Sequence, residues 1–231
     1  MDYLKLFTQQ TYFKFHCVDD MPALDETFRL RYQVYCLERG FLSREDYPEG
    51  SERDEFDGHS EHFSAYDRHG HIAGSVRLVK WSEQGLYPFH HHCPVFPDIS
   101  LPPNEEAQEI SRLVVSKEYR RRQGDNWLGI NEGGAEELPE DIAAKRGSHP
   151  IIVLGLYREM YRYSKRNGIR YWYAAMERSL ARLLGRYGFE FKPIGPEVDY
   201  YGPVGVYLAS LEELDARVSR DTPQLFEWFT S

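Results

Sequence analysis

Residues 109–116, Glu109-Ile-Ser-Arg-Leu-Val-Val-Ser116, place a carboxylate, a hydroxyl and a guanidinium within an apolar segment. Strict alternation predicts a strand with one face formed by Glu109, Ser111, Leu113 and Val115, and the other by Ile110, Arg112 and Val114. Charges on a core strand are costly unless they are paired or serve a chemical role. Upstream segments supply the possible partners Arg31, Asp54, Asp57 and Arg77. The pattern therefore points to a reaction site around this strand.

The composition describes an acidic chain that is long enough for one sizeable core. Its 231 residues carry a formal net charge of −9, which argues against general nucleic-acid binding because such binding neutralises phosphates. Three cysteines without CxxC spacing argue against a disulfide framework and fit a reducing cytoplasm. No secretory signal and no apolar stretch of membrane-spanning length are visible. We expect one cytoplasmic domain over residues 1–231.

The first half of the chain predicts a helix, a long loop and a hairpin. Pro22 and the helical spacing of Phe28 and Tyr32 predict a helix over residues 22–39. The polar stretch 42–59 is expected to form a long loop, which is typical of binding segments. Further along, the pattern predicts hairpin strands near 61–67 and 71–80 and an irregular stretch at 82–106.

The second half of the chain alternates strands and helices. After the strand at 109–116, a charged, glycine-containing stretch at 123–149 lacks periodicity and is expected to be a flexible insertion. Helices are predicted at 151–167 and 179–187, and strands at 169–176, 189–193 and 205–211. This order predicts an α/β protein with a mixed, mostly antiparallel central sheet flanked by helices.

That order, together with the segments VVSKEYRRRQG and LLGRYGFEF, resembles the GNAT acyltransferase fold. The resemblance implies that the central strand pairs with the pantetheine arm of an acyl donor. It also implies that the following basic loop cradles the donor's pyrophosphate. Arg121, Arg122, Gln123 and Gly124 match the start of that loop, but its second glycine is missing. The donor-binding set that follows is Leu113, Val114, Val115, Arg120, Arg121, Arg122 and Gly124.

Four ordered segments, RLRYQVY, ERDEFDG, SVRL and EISRLVV, resemble the acyl-homoserine-lactone (autoinducer) synthases more closely. They are also similar to N-acyl amino acid synthases and to PEP-CTERM/exosortase-associated acyltransferases. The resemblance implies a catalytic set of Glu109, Ser111 and Arg112, and an acceptor-binding set of Arg31, Tyr35, Phe41, Asp54, Asp57 and Arg77. Tyr35 and Phe41 stand where autoinducer synthases usually carry Phe and Trp, which favours the exosortase-associated branch.

This resemblance implies transfer of a fatty acyl group from an acyl carrier protein, or from acyl-CoA, to a small amine such as an amino acid. An acyl-phosphopantetheine donor is then expected, with no permanently bound cofactor. Carrier proteins are acidic, so the basic cluster from Lys117 to Arg122 is a candidate docking surface. Two alternatives stay open: an autoinducer synthase that uses S-adenosylmethionine, and a non-catalytic GNAT domain that only binds acyl groups.

Each candidate residue also has a structural interpretation. Glu109 is either the base that deprotonates the amine or the partner of Arg31 or Arg77 in an ordering ion pair. Backbone N–H groups near residues 112–114, exposed by strand splaying, are candidate oxyanion donors. Asp54 and Asp57, three residues apart, either face solvent or lie on one side of a turn and bind an ammonium group.

The remaining side chains have simpler alternatives. Arg77 is otherwise a snorkelling strand arginine, and Ser111 is otherwise a packed hydroxyl without an adjacent histidine to activate it. Arg112 is otherwise a structural link between carboxylates. The run His90-His-His-Cys93 contains metal-ligand types, but adjacent residues do not converge easily on one ion. We therefore predict no metal site.

Overall fold

A computed structural model describes residues 12–82, 86–120, 148–200 and 202–231. Its strands are β1 (Phe13–Val18), β2 (Ser60–Asp67), β3 (Ile72–Val79), β4 (Ala107–Val115), β5 (Tyr171–Met176), β6 (Lys192–Pro193), β7 (Val198–Asp199) and β8 (Pro203–Ser210). Its helices are α1 (Met21–Tyr32), α2 (His149–Arg166), α3 (Arg178–Arg186), α4 (Leu211–Asp221) and α5 (Pro223–Thr230). The predicted α/β class is confirmed.

The strands form an eight-stranded, mostly antiparallel sheet in the order β1-β2-β3-β4-β5-β8-β6, and β7 pairs with β8 beside this path. Strands β4 and β5 are parallel, whereas β8 runs antiparallel to β5, β6 and β7. The sheet is therefore mixed. The β4–β5 register runs from Ala107 opposite Tyr171 to Ile110 opposite Ala174. Within the described residues both strands continue past that last pair, so they separate there.

The chain divides into two compact units. The first unit comprises residues 1–52, 64–75 and 114–157, and the second comprises 53–63, 76–113 and 158–231. In the first unit, Leu30, Val34 and Val114 form an apolar cluster. The core of the second unit is larger and contains the buried residues Phe56, Val79, Tyr87, Phe89, Cys93, Ala107, Tyr173, Ile194 and Val206. The single-domain organisation stays a prediction.

The first helix begins as predicted but changes form before its end. Asp20 caps α1 by accepting a hydrogen bond from the Ala23 amide at 2.9 Å, and proline follows in the first turn. From Gln33 to Glu38 the chain is π-helical. The Arg39 amide there donates to the Val34 carbonyl, five residues back, at 3.0 Å. Such wide turns are rare and often lie at functional sites.

Several elements differ from the prediction. The sequence patterns did not identify β1 or the two C-terminal helices α4 and α5. The strand predicted at 189–193 is only two residues long. Helix α2 begins at His149, inside the stretch expected to be an insertion. The rest of that stretch, up to residue 147, lies outside the described residues. Among the described helices, none is long and apolar enough to cross a membrane.

Candidate functional site

Strand β4 has an irregular backbone at Arg112, which adopts a φ of 53°. A left-handed conformation is uncommon for a residue with a side chain and costs of the order of 1–3 kcal/mol. It interrupts the period-2 alternation of the strand. As a result, Ser111 and Arg112, predicted to face opposite sides, both contact one cluster of charged side chains. The distortion lies just past Ile110, the last residue of β4 that pairs with β5.

Arg77 forms the centre of that cluster, which belongs to the second unit. Its Nε donates to Ser111 Oγ at 3.0 Å, and its Nη1 donates to Asp57 Oδ1 at 2.7 Å and also to Asp54 Oδ1. Arg112 Nη2 lies 2.9 Å from Asp54 Oδ2. Arg77 is 1% exposed, so it does not snorkel to solvent. We call these five residues the Arg77 network.

The two aspartates lie on one side of a tight turn, as their spacing of three predicts. Asp54 Oδ1 accepts from the Phe56 amide at 2.9 Å, and Asp57 Oδ2 accepts from the Asp54 amide at 2.8 Å. Burial opposes ionisation of Asp54, but its hydrogen bond to Arg77 and the charges of Arg77 and Arg112 lower its pKa overall. Both carboxylates therefore hold arginines in this structure.

One donor of the network has no acceptor among the described residues. The Arg77 Nη2 nitrogen is buried, and no hydrogen-bond partner for it lies within the described residues. An unsatisfied buried donor costs roughly 1–3 kcal/mol. A buried guanidinium nitrogen of this kind is suited to an oxygen of a bound substrate.

Glu109 is buried beside the network and is 1% exposed. Its Oε2 accepts from the Phe89 amide at 3.0 Å. Burial raises the pKa of Glu109 to about 8, against the opposing effects of the Phe89 hydrogen bond and of the charges of Arg77 and Arg112. Such a group holds a proton at neutral pH and can exchange it near physiological pH.

Three aromatic rings account for the burial of this carboxyl. In the β4–β5 register Glu109 is opposite Tyr173. The centroids of the Phe89 and Tyr173 rings are 5.0 Å apart, and those of Tyr87 and Tyr173 are 5.3 Å apart. The Tyr87 hydroxyl donates to the Ala107 carbonyl at 2.6 Å. Aromatic side chains from two segments, the turn at 87–93 and β5, thus remove water from the region of Glu109.

The first unit contains the other predicted acceptor-binding residues. Arg31 forms an ion pair with Glu52 in which the side chains are 1% and 0% exposed. Arg31 therefore has Glu52 as an ion-pair partner within the first unit. The rings of Tyr35 and Phe41 lie with centroids 6.3 Å apart in the same unit. The Glu52 amide also donates to the Phe28 carbonyl at 3.1 Å, which fastens the end of the loop to α1.

The predicted donor-binding residues are only partly described. Val114 and Val115 are buried, Leu113 is partly exposed, and Lys117 is exposed. Arg120 forms an ion pair with Glu38, at the end of the π-helical turn. Arg121, Arg122 and Gly124 lie outside the described residues.

The histidine run at 90–93 follows Phe89, whose amide contacts Glu109. No group of three or more potential ligands capable of holding a metal ion occurs in the part of the chain that the structure describes. His90 to His92 are exposed, whereas Cys93 is buried. The pKa of the Cys93 thiol is raised by burial and then by the charge of Glu109, which places the run next to the candidate base.

Sequence reasoning missed four residues of these arrangements: Glu52, Tyr87, Phe89 and Tyr173. Glu52 stands two residues before Asp54 in an acidic segment, so its position in ERDEFDG was a usable signal. Tyr87 and Phe89 lie in a stretch that looked irregular, and their partners are distant in the chain. Nothing local marks them as neighbours of Glu109.

Comparison with known proteins identifies the fold. Residues 30–129 match the family described as an acetyltransferase (GNAT) domain. The chain has the GNAT fold. This confirms the predicted fold class, and the domain match indicates an N-acyltransferase enzyme. No curated protein sequence matches the chain.

Solved structures with this fold include three acyl synthases. The CoA-dependent acyl-homoserine lactone synthase BjaI, with MTA, has a TM-score of 0.62 and 20% identity, covering 90% of this chain and 89% of that chain. The AHL synthase LasI has a TM-score of 0.59 and 17% identity, covering 87% and 90%. FeeM, an N-acyl amino acid synthase from uncultured soil microbes, has a TM-score of 0.52 and 11% identity, covering 89% and 94%. At these identities the likeness establishes the fold.

Proposed function

We propose that this GNAT-fold protein transfers a fatty acyl group from an acyl-phosphopantetheine donor to the amino group of a small acceptor, most simply an amino acid. The observation that carries the proposal is Glu109, a buried carboxyl with a pKa of about 8 beside the Arg77 network. Perturbed titratable groups of this kind concentrate at catalytic sites. The fold match to acyl synthases supports the same reaction class.

In the proposed reaction, Glu109 takes a proton from the acceptor amine, directly or through a water. The nitrogen then bonds to the carbonyl carbon of the thioester and forms a tetrahedral oxyanion. Collapse breaks the carbon–sulfur bond, and the departing thiolate takes up the proton held by Glu109. The products are an amide and a free thiol. With a pKa of about 8, Glu109 is ionised in about a tenth of the protein molecules at pH 7. The rate therefore rises with pH.

The proposed oxyanion donors are backbone N–H groups of β4 after Ile110, where the strand separates from β5. The left-handed residue Arg112 reorients this segment relative to a regular strand. Ser111 has the role of holding Arg77 Nε through its hydroxyl. Asp54 and Asp57 hold Arg77, whose buried Nη2 is the proposed contact for an acceptor oxygen. Arg31, Tyr35 and Phe41 keep their proposed part in acceptor binding.

The donor is proposed to be acyl carrier protein, with acyl-CoA as the second candidate. Helix α3 follows β5 directly and exposes Arg178, Arg182 and Arg186 at intervals of four residues. A basic stripe on a chain of net charge −9 is complementary to an acidic carrier protein. The structurally similar synthase BjaI is CoA-dependent, which is why acyl-CoA is tested in parallel.

The test combines the purified protein with acyl carrier protein or CoA thioesters and a mixture of amino acids, and identifies products by mass spectrometry. Glu109→Gln should lower the turnover by about 10²–10⁴-fold. Glu212→Gln, at an exposed acid in α4 with a side chain 82% exposed, is the matched control. Near-normal turnover of Glu109→Gln would remove Glu109 from the mechanism.

An autoinducer synthase is the second candidate because the fold matches include the acyl-homoserine lactone synthases LasI and BjaI. Adding S-adenosylmethionine as the acceptor separates the two activities, since only the synthase releases a lactone. The sequence resemblance to exosortase-associated acyltransferases favours the amino acid product. Binding of acyl donor without any product would support a non-catalytic acyl-binding domain instead.

A further inference from the structure

The tight turn from Tyr87 to Cys93 presents a backbone donor to Glu109. Its Phe89 amide donates to Glu109 Oε2 at 3.0 Å. The Phe89 carbonyl in turn accepts from the amides of His92 at 3.0 Å and Cys93 at 2.7 Å. The side chains of Tyr87 and Phe89 are fully buried. We call residues 87–93 the Phe89 turn.

His90 closes the Phe89 turn through both its backbone and its ring. Its amide donates to the Tyr87 carbonyl at 3.0 Å, and its Nδ1 accepts from the Tyr87 amide at 3.0 Å. The His90 ring also stacks on the Phe89 ring with a centroid distance of 4.0 Å. A side chain three residues into a helical turn that accepts from the first amide is the arrangement of a capping box. Only the ring nitrogen of a neutral histidine can accept this bond.

The charges around His90 favour the neutral ring. Its pKa is lowered by partial burial of the ring and by the neighbouring His91, and the bond that Nδ1 accepts from the Tyr87 amide exists only in the neutral form. At neutral pH the Nδ1 is therefore an acceptor, and the proton is on Nε2. The charged and titratable groups that act on Glu109 from the packed elements are Arg77, Arg112, Asp54, Tyr87 and Cys93.

We propose that His90 is a positioning residue for Glu109: its Nδ1 holds the Phe89 turn closed, and the closed turn keeps the Phe89 amide on the carboxylate. The Phe89 hydrogen bond stabilises the ionised form of Glu109, which is the form that accepts a proton. Loss of the His90 acceptor loosens the turn and raises the pKa of Glu109 further. The effect of His90 on catalysis rests on the proposed function. The hydrogen bonds that link His90 to the Phe89 turn, and the turn to Glu109, do not depend on it.

The experiment measures the ionisation of Glu109 in the free protein, with no substrate present. Protein labelled with ¹³C at the glutamate carboxyl carbons is titrated by NMR, and the Glu109 signal is identified by its loss in Glu109→Gln. In His90→Leu the midpoint should rise by about one pH unit, the worth of one hydrogen bond to a charged group. In His90→Gln, which restores an acceptor at the capping position, the midpoint should stay near the wild-type value.

His71→Leu is the matched control, because His71 is an exposed histidine in the β2–β3 turn with a side chain 74% exposed. It should leave the Glu109 midpoint unchanged. An unchanged midpoint in His90→Leu overturns the proposal, and so does an equal rise in His90→Gln. If His90→Leu does not fold, the wild-type protein decides: the Phe89 amide resonance must shift as His90 is protonated, and its failure to do so overturns the proposal.

Activity measurements separate this inference from the proposed function. If the enzyme transfers acyl groups, the acid limb of its kcat/KM profile should move to higher pH in His90→Leu and return in His90→Gln. If the wild-type protein transfers none, the proposed function fails while the NMR midpoints still decide the role of His90.

Discussion

The Arg31–Glu52 pair of the first unit and the Arg77 network of the second unit both contain buried charged side chains. They differ in the number of carboxyl groups that accompany the arginines. The pair joins one cation to one anion, and both side chains are almost completely buried. The network joins two arginines to two aspartates, and a third carboxyl, Glu109, is buried beside it. The charges of the network balance without Glu109, and burial raises the pKa of this carboxyl so that it retains its proton at neutral pH. We propose from this comparison that the balanced pair serves structure, whereas the surplus carboxyl serves proton transfer.

The largest expected effect comes from breaking the balanced pair. Glu52→Leu leaves Arg31 buried without its counter-charge, which should lower the free energy of unfolding by about 3–5 kcal/mol. Urea denaturation at pH 7 measures this loss, with a substitution at the exposed Glu212 of α4, Glu212→Leu, as the control. A loss below about 1 kcal/mol, typical of a surface substitution, would contradict the structural role of the pair.

Removing the surplus carboxyl should have the opposite effect on stability. The folded-state pKa of Glu109 is about 8, above the ordinary value of 4.5. Between these pH values the native state holds a proton that the unfolded state releases, so stability falls as the pH rises. Glu109→Gln abolishes this loss and should be more stable than wild type by roughly 2–4 kcal/mol at pH 9.

Near pH 4 the two proteins should be equally stable, because Glu109 is protonated in both the native and unfolded states. Denaturation curves at pH 4, 6.5 and 9 test this dependence. A Glu109→Gln protein that is less stable than wild type at every pH would make Glu109 a structural ion-pair partner, like Glu52.

The pH dependence of catalysis should follow the same group. Below about pH 8, the ratio of kcat/KM for wild type to kcat/KM for Glu109→Gln should rise by about tenfold for each pH unit as Glu109 becomes ionised, and it should level off above that value. The acceptor amine ionises too, but its contribution remains in the residual activity of Glu109→Gln. The part of the pH profile that differs between wild type and Glu109→Gln is therefore assigned to the ionisation of Glu109. If the pH profiles of wild type and Glu109→Gln superimpose, Glu109 takes no part in proton transfer.

The smallest expected effect concerns the exposed charges of α3, which belong to neither buried group. The double variant Arg178→Glu and Arg182→Glu should raise the KM for an acyl carrier protein donor by about tenfold at low salt, and less at high salt. The KM for acyl-CoA should not change. Arg220→Glu in α4, another exposed arginine, is the control. An equal rise for both donors would argue against carrier-protein docking on α3.

Local sequence determined much of the framework. The spacing of Asp54 and Asp57 predicted a single side of a turn, and the hydrogen bonds that their carboxylates accept from the Asp54 and Phe56 amides explain why. Periodicity located β2, β3, β4 and β5 and helices α2 and α3, since alternation or helical spacing is a property of neighbouring residues. It did not locate β1, whose six residues are bounded by no strong turn signal, or the short C-terminal helices.

Tertiary structure decided which charges meet and which ionise. Glu52 and Arg31 are 21 residues apart, and Phe89 reaches Glu109 from an irregular stretch that showed no periodicity. The left-handed backbone of Arg112 occurs in a residue whose side chain disfavours it, so no composition signal marks it. A pKa depends on burial and on charges brought close by folding. The sequence therefore determined that Glu109 lies on the central strand of an α/β acyltransferase fold, and only the packing of Tyr87, Phe89 and Tyr173 made it a carboxyl that holds its proton.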